Sequence, residues 1–167
     1  IMTSSPLSMD VINRSSIKAT ANVIRSHILA MYIHSLVSGF LIEKYGLNKI
    51  MSIGVIGLLG ASLAGMSGTS VFMYWLALVL LGVGWNFLYV GGTTMLTYTY
   101  EPNERFKAQG LNEFCVFGIS AFGSLLAGTI MYKFGWFVLV IIPIPFLLMI
   151  GVGLIVTNTD LSLLVIK

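Results

Sequence analysis

The chain has 167 residues, 57% hydrophobic and 9% charged, with a mean hydropathy of +0.95 and a formal net charge of +3. Soluble domains carry about 25% charged residues, so this composition excludes that class and reads as an integral, multi-pass membrane protein. The small positive charge, spread without any basic run, excludes nucleic acid as a partner, and the single Cys115 excludes an internal disulfide or a thiolate metal cluster.

Residues 1–20 are polar and mixed, with Pro6, Asp10, Arg14 and Lys18, and read as the end of a preceding element followed by a loop. They hold no basic segment leading into an apolar run, so no signal peptide is expected. A first residue Ile1 suggests a fragment, with Met2 as a candidate initiator.

Five apolar spans follow, at about 21–42, 47–66, 71–98, 106–132 and 134–157, and the tail 158–167 is too short to cross again. No charge falls between Ile50 and Tyr100 or between Phe134 and Thr159. About 20 residues at 1.5 Å rise cross a hydrocarbon core of roughly 30 Å, so the predicted fold is an all-α transmembrane bundle. The Ser67-Gly68-Thr69-Ser70 cluster breaks the long uncharged run as a turn. Pro102 suits the first turn of the fourth span, and Pro143 and Pro145 are expected to bend the fifth. Cys115, inside an apolar helix, reads as a small core residue.

The connections 43–49 and 101–107 carry Lys44, Lys49, Arg105 and Lys107, whereas those at 67–70 and 133 carry only Lys133. The positive-inside rule makes the first pair cytoplasmic, although Arg14, Lys18 and Arg25 argue the other way. Within the first connection, Gly46 stands where a helix ends in a left-handed conformation. Glu43 would face the negative end of its helix dipole there, so it needs a partner, with Lys44, Lys49 and Arg105 as the candidates.

Small residues mark close helix contacts in lipid. Gly54, Gly57, Ala61 and Gly65 form such a face on the second span, and Gly118, Ala121 and Gly128 on the fourth. Polar residues also fall in stripes: His27, His34 and Ser38 on the first span, then Asn86, Tyr89, Thr93, Thr97 and Tyr100 on the third. The fourth carries Gln109, Glu113, Ser120 and Ser124. Two readings stand, an aqueous cavity wall or interhelical hydrogen bonding in a dry bundle. The cavity reading makes His27, His34, Asn86, Tyr89 and Thr93 the substrate-cavity candidates. Glu113, the only acid inside a span, lies about 15 Å along its helix from Pro102. It is either a proton-binding, coupling or gating residue, or an interfacial acid paired with Lys107 or Arg105. His27 and His34 are about 10 Å apart in rise, too far for one metal ion, and no third histidine exists for a bis-histidine haem. No metal and no cofactor is expected. Asp10 and Asp160 lie outside the spans and no nucleophile–base motif occurs, so an enzyme is not expected.

The stretch Ser38 to Met51, SGFLIEKYGLNKIM, resembles the signature loop G-x-L-x-D-(R/K)-x-G-(R/K)-(R/K) of the major facilitator superfamily, through Gly39, Leu41, Glu43, Lys44 and Gly46. Glu43 replaces the usual Asp, and Leu47 and Asn48 stand where basic residues are common, a departure that suits the loop's second copy between the eighth and ninth helices. LLGVGWNFLYVGGTT (Leu80 to Thr94) and ERFKAQGLNEF (Glu104 to Phe114) resemble the tenth and eleventh helices of bacterial efflux-type permeases of that family. The resemblance implies helices eight to twelve of a twelve-helix permease, most of one six-helix half, with the N-terminal half as a missing partner. It implies secondary-active, proton-coupled, efflux-type transport of a small molecule by alternating access, in a bacterial cytoplasmic membrane. It groups Gly39, Glu43, Lys44, Gly46, Lys49 and Arg105 as the signature-loop set. The alternative is a membrane-embedded interaction subunit, or an inactive half, with no transport of its own.

Overall fold

The computed structural model describes residues 1–11 and 14–164. A 3-10 turn, Met2–Ser4, leads into α1 (Ser5–Val11), followed by α2 (Ile17–Tyr45), α3 (Leu47–Met66) and α4 (Val71–Leu96). A second 3-10 turn, Pro102–Glu104, opens α5 (Arg105–Ile141), and α6 (Pro143–Leu164) ends the described chain. Two serines set the helix starts. Ser16 caps α2 by accepting from Ala19 N–H at 3.2 Å, so that helix begins before the apolar run does, and Ser70 caps α4 by accepting from Met73 N–H at 3.3 Å.

Among the described residues, four stretches are long and apolar enough to cross a membrane: Ile17–Tyr45, Leu47–Met66, Val71–Leu96 and Pro102–Thr157. The last has 56 residues, which as one straight rod would run about 84 Å, nearly three hydrocarbon thicknesses. It is broken at Gly135, where φ +81° and ψ −179° leave helical space in a conformation that a Cβ would strain. The break divides it into two arms, and Trp136–Ile141 runs on into α6. The expected bend at Pro143 and Pro145 lies elsewhere, because Ile142 keeps helical angles (φ −50°, ψ −41°) and Pro143 opens α6. Proline's missing N–H costs nothing at a helix start.

The helices alternate in direction. The Gly46 connection therefore lies at the same end as Met95, Tyr98 and Thr99 after α4, with which it lines one cleft. Lys44, Lys49, Arg105 and Lys107 gather at that end. At the other end Trp136 Nε1–H donates to Gly65 O at 2.8 Å, the Trp136 ring packs 4.8 Å from Tyr74, and the Tyr74 hydroxyl bonds Ser8 of α1. A core of Met9, Val23, Leu78, Met131, Trp136 and Val140 forms around these contacts. A second core joins Met51, Val55 and Leu58 of α3 to Leu147 and Leu154 of α6.

Close approach is set by missing side chains. A Cβ on Gly84 would lie 2.7 Å from Gly54 O, which fixes the α3–α4 crossing, and one on Gly82 would lie 2.7 Å from His27 O, which fixes α2 against α4. Buried Val23, His27, Ala30 and Ser38 accordingly lie along one side of α2. The small residues of α5 behave differently from those of α3. Gly118 and Gly128 have nothing within 4 Å and Ala121 is exposed, so the expected contact face is open among the described residues. Cys115 is exposed on α5, not a core residue, because no described helix covers that side.

Candidate functional site

Three helices and the N-terminal turn line a half-open cavity of about 320 Å³. α2 contributes His27, α4 contributes Trp85, and α5 contributes Phe117, Ser120 and Ser124. Their placement follows from helical spacing: Ser120 and Ser124 are one turn apart on α5, and Phe117 lies one turn before them. The volume is at the small end for an organic-ligand pocket.

His27 is 3% exposed, and its Nδ1 lies 2.6 Å from Leu78 O. A carbonyl only accepts, so Nδ1 carries the proton, and in the neutral ring Nε2 is an acceptor. Ser120 and Ser124 have no hydrogen-bond partner among the described residues. Several other hydroxyls in the spans turn back on their own helix, Ser52 to Asn48 O, Thr94 to Val90 O and Thr157 to Gly153 O, each at 2.8 Å, whereas Ser62 is buried without a partner among the described residues.

Next to this cavity, Tyr89 OH lies 2.8 Å from both carboxylate oxygens of Glu113. The Tyr89 ring stacks on Trp85 at 6.4 Å and 10°, and meets Phe117 at 6.4 Å and 57°. Glu113 therefore has the Tyr89 phenol as its partner, and no ion pair joins it to Lys107 or Arg105 among the described residues. Those two cations are exposed at the helix start, about 1.7 turns (Lys107) and about 2.2 turns (Arg105) away along α5. Gln109 instead donates to Tyr100 OH at 2.9 Å.

The remaining candidates are dispersed. Asn86 is 6% exposed and accepts from Ser38 Oγ at 2.5 Å, linking α2 to α4; the same hydroxyl lies 2.6 Å from His34 O. His34 Nδ1 donates to Ala30 O of its own helix at 2.8 Å, and its ring meets Phe87 edge-on at 5.9 Å. Thr93 is back-bonded to Tyr89 O at 2.9 Å. Of the five cavity candidates, His27 lines the cavity, and Tyr89 reaches it through Trp85 and Phe117. Sequence reasoning missed Trp85 and Phe117, whose only signal was their position one turn from Tyr89 and from Glu113.

In the signature loop, Gly46 takes φ +91° and its N–H bonds Ile42 O at 2.9 Å. Glu43 is exposed, and the expected pairing with Lys44, Lys49 or Arg105 is not formed among the described residues. Lys44 Nζ instead lies 5.7 Å from the Phe40 ring centroid and 5.3 Å from that of Tyr45. Gly39 meets nothing within 4 Å, and Lys49 and Arg105 are exposed. No group of three His, Cys, Asp or Glu side chains that could hold a metal occurs among the described residues.

The family model described as Major Facilitator Superfamily matches residues 11–162. Over 136 residues the chain is 38% identical to the riboflavin transporter RfnT of Brucella anthropi, covering 81% of this chain and 34% of that protein. Two proteins of Bacillus subtilis named as uncharacterized MFS-type transporters are also similar. YdeG is 35% identical, covering 78% of this chain and 31% of its own length, and YddS is 34% identical, covering 78% and 30%. The chain spans about a third of the length of these relatives. No solved structure matches it.

Proposed function

The chain belongs to the major facilitator superfamily, and on that premise we propose that it supplies one helical half of a secondary transporter moving a small organic solute by alternating access. The complementary half would come from elsewhere in the same polypeptide or from a second chain. One observation carries this reading: a pocket between α2, α4 and α5 whose aromatic walls, Trp85 and Phe117, touch the Tyr89 ring that holds the membrane-embedded acid Glu113. A carboxylate inside a span is costly even when hydrogen-bonded, and such residues mark ion or proton pathways. Glu113 is the proton-coupling group in this proposal.

The solute we put first is riboflavin, on the strength of the relative named for it. The membrane is the bacterial cytoplasmic membrane, as the bacterial relatives support, with the end that gathers Lys44, Lys49, Arg105 and Lys107 facing the cytoplasm. Export against entering protons is the working direction, from the likeness of Leu80 to Thr94 and Glu104 to Phe114 to efflux-type permeases.

The test expresses the native reading frame that contains this chain in cells lacking their own riboflavin transport, and follows labelled riboflavin with and without a proton gradient. Gradient-dependent movement, lost in Glu113→Gln, is the expected result. Movement unaffected by Glu113→Gln would remove the coupling role, and no movement of riboflavin would remove the solute. Net accumulation in place of depletion would reverse the direction.

A further inference from the structure

Resting on the transport reading above, we infer that the cavity between α2, α4 and α5 binds an uncharged, planar heteroaromatic ring through a hydrogen-bond donor on the ring's edge. His27 and the Ser120–Ser124 pair recognise that edge, and Trp85 and Phe117 hold the faces.

Three features of the pocket carry this. First, its side chains include no Asp, Glu, Lys or Arg; His27 is its one titratable side chain. An ionic ligand would find no side-chain counter-charge there, and a neutral one needs none. Second, the polar groups have defined roles. Leu78 O fixes the proton of His27 on Nδ1, so the neutral ring can offer the ligand only an acceptor. Ser120 and Ser124 are free of protein partners among the described residues and each can donate or accept. One fixed acceptor beside two adaptable hydroxyls matches an edge on which an N–H stands next to carbonyls, as in a cyclic imide. Third, the apolar lining sets two aromatic side chains, Trp85 and Phe117, beside the aliphatic Ile1, Met2, Met31 and Leu81. Trp85 is already locked parallel to Tyr89 (10°), so a ligand ring entering beside it meets a pre-set plane.

The probe is lumichrome, a neutral fluorescent tricycle with ring N–H groups, compared with 1,3-dimethyl-lumichrome, in which both are blocked. Binding to the purified full chain in detergent is read by fluorescence polarisation. Lumichrome is expected to bind, with affinity about tenfold or more weaker for the dimethyl compound, the scale of one lost buried hydrogen bond. The double variant Ser120→Ala, Ser124→Ala should weaken lumichrome by a similar factor and narrow the gap between the two probes. His27→Gln, which keeps a polar group, should do the same. Should His27→Gln fail to fold, the serine pair keeps the test intact, since neither side chain is engaged by the protein. Equal binding of the two probes, or binding of neither, overturns the inference. Loss of solute transport with selective lumichrome binding intact would count against the transport reading and leave this site standing.

Discussion

One phenol proton of Tyr89 serves both oxygens of Glu113, each at 2.8 Å, and joins α4 to α5 across the wall of the cavity. Hydrogen bonds to a charged acceptor are roughly twice as strong as neutral ones, so this contact changes in strength when Glu113 gains a proton. The Tyr89 ring, packed on Trp85 and Phe117, is in position to pass that change to the cavity walls.

Tyr89→Phe keeps the ring and removes only the hydroxyl. Solute affinity is expected to stay within about twofold, while gradient-driven transport falls about tenfold, the effect of one lost charge-assisted bond. Equilibrium binding and proton-driven flux in proteoliposomes separate the two. Parallel losses in both would mean that Tyr89 acts on binding and not on coupling.

Ser38 and Asn86 offer a contrasting polar contact, at 2.5 Å and fully within the α2–α4 interface. Such interhelical bonds contribute about 0.6 kcal/mol on average and about 1.7 at most. A double-mutant cycle with Ser38→Ala and Asn86→Ala should give a coupling energy in that range by unfolding in detergent. Lumichrome affinity should be unchanged in the single variants. A binding loss confined to Asn86→Ala would return this residue to the cavity.

Gly82→Ala places a methyl group 2.7 Å from His27 O and 3.2 Å from its Nδ1. The helices must separate, at a cost of about 1–3 kcal/mol, and the His27–Leu78 bond is strained with them. Gly128→Ala on the open face of α5, with nothing within 4 Å, is the control, with an expected change within about 0.5 kcal/mol. Thermal unfolding in one detergent compares them, and equal stability of both variants would refute the close α2–α4 contact.

Much of this arrangement is legible in the chain because lipid makes strong demands. Long uncharged runs can only be helices, and an acid inside one, Glu113, stands out at once. The small residues of α3 likewise point to a real interface with α4. The sequence carries less about what each polar group meets. Glu113 lies nearer in sequence to Lys107 and Arg105 than to Tyr89, yet Tyr89 from another helix reaches it. Trp85 and Phe117 are apolar residues in largely apolar runs, and beside Trp85 the polar signal falls on Asn86, so their own polarity does not mark them as cavity walls. The break at Gly135 falls two residues from the connection read at 133, but the bend read at Pro143 and Pro145 is misplaced, because Pro143 sits where a helix start tolerates it. A glycine's φ becomes visible only in three dimensions.

The signature loop gives the last test. Glu43 is exposed and forms no ion pair among the described residues, while Lys44 lies over Phe40 and Tyr45. An exposed, unpaired acid contributes little to the fold, so Glu43→Gln should change stability by no more than about 0.5 kcal/mol. If the loop serves movement between halves, its acid acts on a partner outside this chain, and flux should fall in the complete transporter even though the isolated chain melts as before. Measuring both in the same variant distinguishes the roles. A stability loss of about 2 kcal/mol in the isolated chain would mean that Glu43 holds the α2–α3 connection together, and unchanged flux would leave it a solvated loop charge.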